Sequence, residues 1–181
     1  MVNYPHNPTG AVCDLKFFEE LLEFANQYDL VILNDNAYSE MGYDGYTAPS
    51  ILQVKGAKER SLEFTSLSKT YNMTGWRSAM VAGGKDLVGA LRIIKTNVDS
   101  GIFKAIQRAS VTALKSDPKQ FADINALYQK RRDVMVDGLN QLGWKLNKPK
   151  ATFYIWAPIP KRFKNSAEFC REMIEKCGIV V

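Results

Sequence analysis

Short apolar runs alternate with longer amphipathic stretches along this chain, and run length separates strands from helices. Val2-Asn3-Tyr4 reads as the end of a strand cut short by Pro5. Asp14 is placed to cap a helix reaching about Gln27, with Leu15, Phe18, Leu21, Leu22 and Ala25 on one face. Leu30-Val31-Ile32-Leu33 is wholly apolar, the pattern of a strand covered on both faces, and it ends at Asn34-Asp35. Leu62-Glu63-Phe64-Thr65 and Ala79-Met80-Val81-Ala82 are two further strand candidates, the second closed by Gly83-Gly84. Asp86 then opens a helix through about Lys95.

Past Asn97-Val98-Asp99-Ser100-Gly101 the period becomes helical, with one helix over about Phe103–Leu114. Asp117-Pro118 starts a longer one that Gly143 stops after Leu142. The style then changes. Trp144-Lys145-Leu146 and Thr152-Phe153-Tyr154-Ile155-Trp156 read as strands of a second, smaller unit, Ser166 caps a helix to Lys176, and Ile179-Val180-Val181 reads as a strand. Strand, helix, strand with polar residues gathered at strand ends predicts an open α/β sheet, which binds ligands beyond the carboxyl ends of its strands. Asn7, Asp35 and Ser66–Lys69 all follow predicted strands, so one shared site is expected there.

Composition narrows the class without naming a chemistry. The 181 residues are 46% hydrophobic and 24% charged, a globular balance that excludes a mainly disordered chain. No apolar stretch reaches membrane-spanning length, and Met1-Val2-Asn3-Tyr4-Pro5 lacks the basic start and apolar segment of a signal peptide. Cys13, Cys170 and Cys177 are odd in number and without metal-ligand spacing, so they read as idle thiols, and a cytoplasmic setting is expected. The net charge of +5 comes from scattered residues apart from Lys130-Arg131-Arg132 and the Lys145–Lys164 stretch. Both read as solvated faces, so no nucleic-acid partner is expected; an anionic small molecule gains equally from the field.

The chemistry concentrates around Lys69. In Ser66-Leu67-Ser68-Lys69-Thr70-Tyr71-Asn72-Met73-Thr74-Gly75-Trp76-Arg77, two serines precede the lysine and an arginine follows. Hydroxyls and a fixed guanidinium hold a phosphate dianion, and a lysine amine attacks a carbonyl. Together they suit a phosphorylated aldehyde, and pyridoxal 5′-phosphate (PLP) is the cofactor suggested. Asp35-Asn36-Ala37-Tyr38 sets a carboxylate near a phenol; the acid can keep a pyridine nitrogen protonated and the phenol can donate to a ring oxygen. The plainer alternative makes Asp35 a cap and Tyr38 packing. Asn7-Pro8-Thr9-Gly10 is a turn that presents an amide at a strand end, or an ordinary turn and no more. His6, the only histidine, reads as a turn residue rather than a general base.

Asn7–Gly10, Asp35–Tyr38 and Ser66–Arg77, in this order, resemble the class I aminotransferases of PLP fold type I over essentially the whole chain. The resemblance implies an α/β fold: part of the fold type I large domain with a mainly parallel sheet, plus an incomplete α+β small domain. It divides the chain into 1–115 (partial PLP-binding large domain), 116–142 (linking helix) and 143–181 (partial small domain). Carried over, it makes Lys69 the Schiff-base lysine, pairs Asp35 with the pyridine nitrogen, puts Tyr38 and Asn7 at the ring oxygen, and sets Ser66, Ser68 and Arg77 on the phosphate. It implies amino acid and 2-oxo acid substrates and a homodimer; Asn97–Phe103 is the candidate stretch near the subunit boundary, or else a plain helix–helix connection.

Gly42-Tyr43-Asp44-Gly45-Tyr46, Glu63–Arg77 and Lys95–Gly101 resemble most the LL-diaminopimelate aminotransferase group, which aspartate and alanine aminotransferases follow closely. Ser78-Ala79-Met80 departs from the family's more glycine- and aromatic-rich continuation, a change expected to alter packing behind the phosphate. Family chains extend further at both ends. The arginine that grips the substrate α-carboxylate has no counterpart here, Arg162 and Arg171 lying in the wrong context, so weak turnover by this polypeptide alone is expected. The alternatives are another PLP chemistry on the same fold, a non-catalytic or dimerisation module, and the aminotransferase-like half of a transcription regulator.

Overall fold

The computed structural model describes residues 1–181. Its organising element is a four-stranded sheet in the order β1-β2-β3-β4, formed by Val2–Asn3, Ile32–Asp35, Ser61–Ser66 and Ala79–Gly83. The first three strands run parallel, with Asn3 opposite Asp35 and Asp35 opposite Phe64. β4 runs antiparallel to β3 and places Ala79 opposite Ser66. The residues just before β4 therefore return to the same rim that the ends of β1, β2 and β3 reach.

The helices are α1 (Leu15–Gln27), the single turn α2 (Leu67–Thr70), α3 (Lys85–Val98), α4 (Lys104–Leu114), α5 (Lys119–Gln141) and α6 (Ser166–Cys177). Asp14 caps α1 as its sequence position predicts, its Oδ1 accepting from the Phe17 N–H at 3.0 Å. Phe18, Leu22 and Ala25 of α1 pack with Ile32, Ile51 and Ala57 into one buried cluster, and each large apolar side chain so buried contributes about 2 kcal/mol. α6 is capped by Asn165, whose side chain accepts from the Glu168 N–H at 2.9 Å; the expected cap, Ser166, is instead the first helical residue. The shift follows from reach, because the residue before the first turn is the one whose oxygen meets the N–H three positions on.

Two further expectations change. The strand after α1 begins at Ile32, not Leu30, and only one face is covered: Ile32 and Asn34 are buried, whereas Leu33 and Val31 are exposed. The strands expected at Trp144–Leu146 and Thr152–Trp156 are absent, and the backbone there makes a single bridge, Ala151 opposite Gly42. Thr152 supplies the reason: it is fully buried with φ 66°, a left-handed conformation that interrupts an extended chain. Ile179–Val181 is irregular as well, following Gly178, which closes α6 in the left-handed conformation.

Segments far apart in sequence are tied together by α5. Arg132, with its side chain only 4% exposed, donates to Asp44, to Asp133 and to the Pro149 carbonyl. Pro149 also presses on the other end of the chain. Gly10 has φ +68°, and a Cβ built there would stand 2.9 Å from Pro149 Cβ, so this turn admits only glycine without movement. Around α6, Phe169 packs edge-on against both Trp144 and Phe163. No helix is long and apolar enough to cross a membrane.

Candidate active site

The parallel strands deliver the polar residues to their carboxyl rim. Asp35 ends β2; Asn3 Nδ2 donates to its carbonyl at 2.7 Å, and Asp35 Oδ1 accepts from the Ala37 N–H at 3.3 Å. That second bond turns the chain, and the next residue, Tyr38, is buried. Asn7, on the neighbouring turn, is exposed, and its backbone N–H donates to Asn3 Oδ1 at 2.9 Å. His6 Nδ1 lies 2.7 Å from Thr9 Oγ1 inside the same turn, which is the turn role its position predicts.

β3 ends at Ser66, and the peptide enters α2 at once. Ser66 Oγ accepts from the Ser68 N–H at 3.0 Å and donates to Ser68 Oγ at 2.8 Å. The excursion back to β4 is pinned by Leu67 N–H to Ser78 O at 3.2 Å and by Thr74 Oγ1 to Ser68 O at 3.2 Å. Arg77 closes it in a left-handed conformation (φ 53°), exposed, with Nη1 donating to Thr74 O at 3.1 Å. Ser78 is buried, and its hydroxyl pairs with Ser110 Oγ at 2.9 Å, fastening α4 behind this loop. A recess of about 370 Å³ beside Arg77 is lined also by Lys95, Thr96, Asp99 and Ser100, so part of the Asn97–Phe103 stretch borders it.

Lys69 is half-buried and enters no ion pair. Its Nζ lies 5.6 Å from the Tyr38 ring centre and 5.2 Å from that of Phe153. Tyr38 Oη donates to Tyr154 Oη at 3.2 Å. Burial pushes the Tyr38 phenol well above its ordinary value, and the Tyr154 hydrogen bond and the charge of Asp35 push the same way, so Tyr38 remains a proton donor. Lys69 thus lies near the Tyr38 ring, Ser66 and Ser68 bond to each other, and Asp35, Asn7 and Arg77 stand at or beside strand ends of the same rim.

Phe153 and Tyr154 are the site residues that sequence reasoning did not find. Their apolar run reads as strand, and the informative signal was the pair of adjacent aromatics without alternation after Ala151-Thr152. In the structure they turn toward Tyr38, with ring centres 5.6 and 6.0 Å away. Tyr128 of α5 stacks obliquely on Phe153 from behind, at 5.6 Å.

The carboxyl rim of this α/β sheet thus carries an ion-pair-free lysine, a phenol, a carboxylate, paired serines and a guanidinium. The chain belongs to the class I and II aminotransferase family, whose profile it matches over residues 1–181. It is 54% identical over 180 residues to LL-diaminopimelate aminotransferase of Moorella thermoacetica and 53% identical to that of Gloeobacter violaceus, in each case covering 99% of this chain and 46% of the relative. The solved apo structure of BacF from Bacillus subtilis superposes with a TM-score of 0.95 at 36% identity, over 99% of this chain and 46% of that one. The chain therefore spans about half the length of the relatives it matches. The mixed α/β architecture with a mainly parallel sheet agrees with the fold expected from sequence.

Proposed function

We propose that this chain carries the lysine-bearing half of a PLP-dependent aminotransferase site, which moves an amino group between an amino acid and a 2-oxo acid. LL-diaminopimelate is the substrate the relatives' names favour, and glutamate the counterpart that the family resemblance implies. The observation that carries the reading is Lys69: an amine without a carboxylate partner, 5.6 and 5.2 Å from the Tyr38 and Phe153 ring centres, one turn past the strand end that carries the bonded Ser66–Ser68 pair.

The donor set fits PLP. Lys69 would hold the cofactor through its amine, Ser66, Ser68 and Arg77 would take the phosphate, Tyr38 and Asn7 would donate to the ring oxygen, and Asp35 would keep the pyridine nitrogen protonated. When bound, the cofactor supplies an electron sink for the pair left at the substrate Cα. The residues do the rest. Lys69 Nζ would serve as the base that takes the substrate Cα proton. Tyr38, kept protonated by its surroundings, holds the ring oxygen without competing for that proton. Phe153 stands beside the amine and is itself backed by Tyr128 of α5. Dimerisation through the Asn97–Phe103 region is part of the proposal, supported by the exposure of Val98 and Phe103. A cytoplasmic setting accords with three unpaired cysteines.

The test is spectroscopic. Titration of the chain with PLP is expected to produce a visible absorption band that Lys69→Ala lacks and that an amino acid bleaches. Identical spectra from the two proteins would overturn the reading.

A further inference from the structure

One hydroxyl outside this assignment touches it directly. Tyr154 Oη lies 3.2 Å from Tyr38 Oη although 116 positions separate the two residues. The contact is built by several bonds. Thr152 is fully buried and takes a left-handed backbone that β-branched residues rarely adopt. Its N–H donates to the Met41 carbonyl at 3.0 Å, and the Met41 N–H donates to the Tyr38 carbonyl at 3.0 Å. Thr152 Oγ1 accepts from the Tyr154 N–H at 3.3 Å, and the Tyr154 ring rests on Phe153 at 4.8 Å. Tyr38 and Tyr154 are thus registered through the backbone as well as through their hydroxyls.

We infer that Tyr154 is a positioning residue for Tyr38, holding its phenol for delivery to a ligand oxygen. The inference rests on the assignment of Tyr38 to the PLP ring oxygen. A phenol carries one proton. As the structure stands, Tyr38 gives that proton to Tyr154, so it cannot also give it to a ligand. When a phenolate oxygen reaches Tyr38, the pair reverses: Tyr38 turns its O–H to the ligand and accepts the O–H of Tyr154. The resulting chain, Tyr154 to Tyr38 to ligand oxygen, polarises along its length and makes Tyr38 a stronger donor than a lone phenol. Of the groups facing the pair, Asp35 and Lys69 carry charge, and neither is hydrogen-bonded to Tyr154.

The experiment compares two probes on the full chain: PLP, and 3-deoxypyridoxal 5′-phosphate, which has hydrogen in place of the ring hydroxyl. Tyr154→Phe removes one oxygen and keeps the ring packing. It is expected to weaken PLP about three- to tenfold, the value of one hydrogen bond, and to leave the deoxy analogue unchanged. In a Tyr38→Phe background the same change is expected to cost nothing further for either probe. Tyr154→Gln, which returns an N–H donor, recovers part of the loss. Equal weakening of both probes, no weakening of either, or no recovery with glutamine would place the effect in packing and overturn the inference. Failure of the unchanged chain to bind PLP overturns the site assignment and this inference with it; binding without a selective loss in Tyr154→Phe overturns the inference alone.

Discussion

Arg132 grips Asp44 through two nitrogens, at 2.6 and 3.1 Å, across 88 positions of sequence. The same guanidinium bonds Asp133 and the Pro149 carbonyl and stacks 5.0 Å from the Tyr43 ring centre. The charge is buried on the arginine side only, since Asp44 and Asp133 keep contact with water. Removing the arginine therefore deletes several bonds and buried packing at once. Arg132→Ala is expected to cost about 3 kcal/mol in urea unfolding. Asp44→Ala should cost less, because Asp133 still faces the guanidinium. Equal losses from the two variants would show that the pair, and not the arginine's whole set of partners, carries the effect.

The Tyr43 hydroxyl is buried and has no hydrogen-bond partner. Burial pushes this phenol up to about 12, and burial likewise raises Tyr46 to about 12 and Cys13 to about 11. All three are raised above their unfolded values, so between the two values the folded chain holds more protons than the unfolded one. Stability is then lost as pH rises from about 9 to about 12. Urea midpoints measured across that range should fall, and Tyr43→Phe should flatten the slope. At neutral pH the same variant should be neutral or stabilising by up to about 1 kcal/mol, since it removes an unpaired polar group. A clear loss at pH 7 would mean that the hydroxyl has a partner after all.

Two glycines should respond with opposite sign. Gly10→Ala forces a Cβ against Pro149 in a left-handed turn and is expected to cost about 1–3 kcal/mol. Gly138 lies within α5 with nothing near its missing Cβ, so Gly138→Ala should stabilise by about 0.5–1 kcal/mol. Thermal melts of the two variants check both.

Arg77 is expected to matter for one end of the cofactor only. Arg77→Ala should weaken PLP about tenfold or more, as loss of a charge-assisted contact does, while leaving the affinity for pyridoxal, which lacks the phosphate, nearly unchanged. Parallel weakening of both ligands would remove Arg77 from the phosphate.

Self-association is the last expectation. Val98 and Phe103 are both 74% exposed, in and beside α3, with Ile93 and Ile94 exposed one turn earlier. Phe103→Asp should shift sedimentation toward monomer without lowering helix content. A monomer at high concentration in the unchanged chain would count against this face as the boundary.

How much of this was legible in the residues depended on range. Asp14, the Lys69 cluster and the rim positions of Asp35 and Ser66 were readable because each is set by neighbours a few positions away: a cap, a strand end, a turn. Leu30-Val31-Ile32-Leu33 misled because an apolar run says that a strand wants cover, not that both faces have it; Leu33 and Val31 lie bare. Phe153 and Tyr154 were missed because their role is fixed by Thr152, whose left-handed backbone no pattern of apolar residues announces. Ser166 was one position off, as helix boundaries read from sequence often are.

The reversed direction of β4 also bears on the order in which the rim assembles. Ser66 and Ala79 are ladder partners, so the serines, Lys69 and Arg77 are gathered by closing a short hairpin. Tyr154 reaches Tyr38 only after a closure spanning 116 positions. Loop entropy grows with span, and distant contacts generally form late. The serine–lysine–arginine side of the rim is thus expected to form ahead of its aromatic wall, an order that φ-value measurements would check.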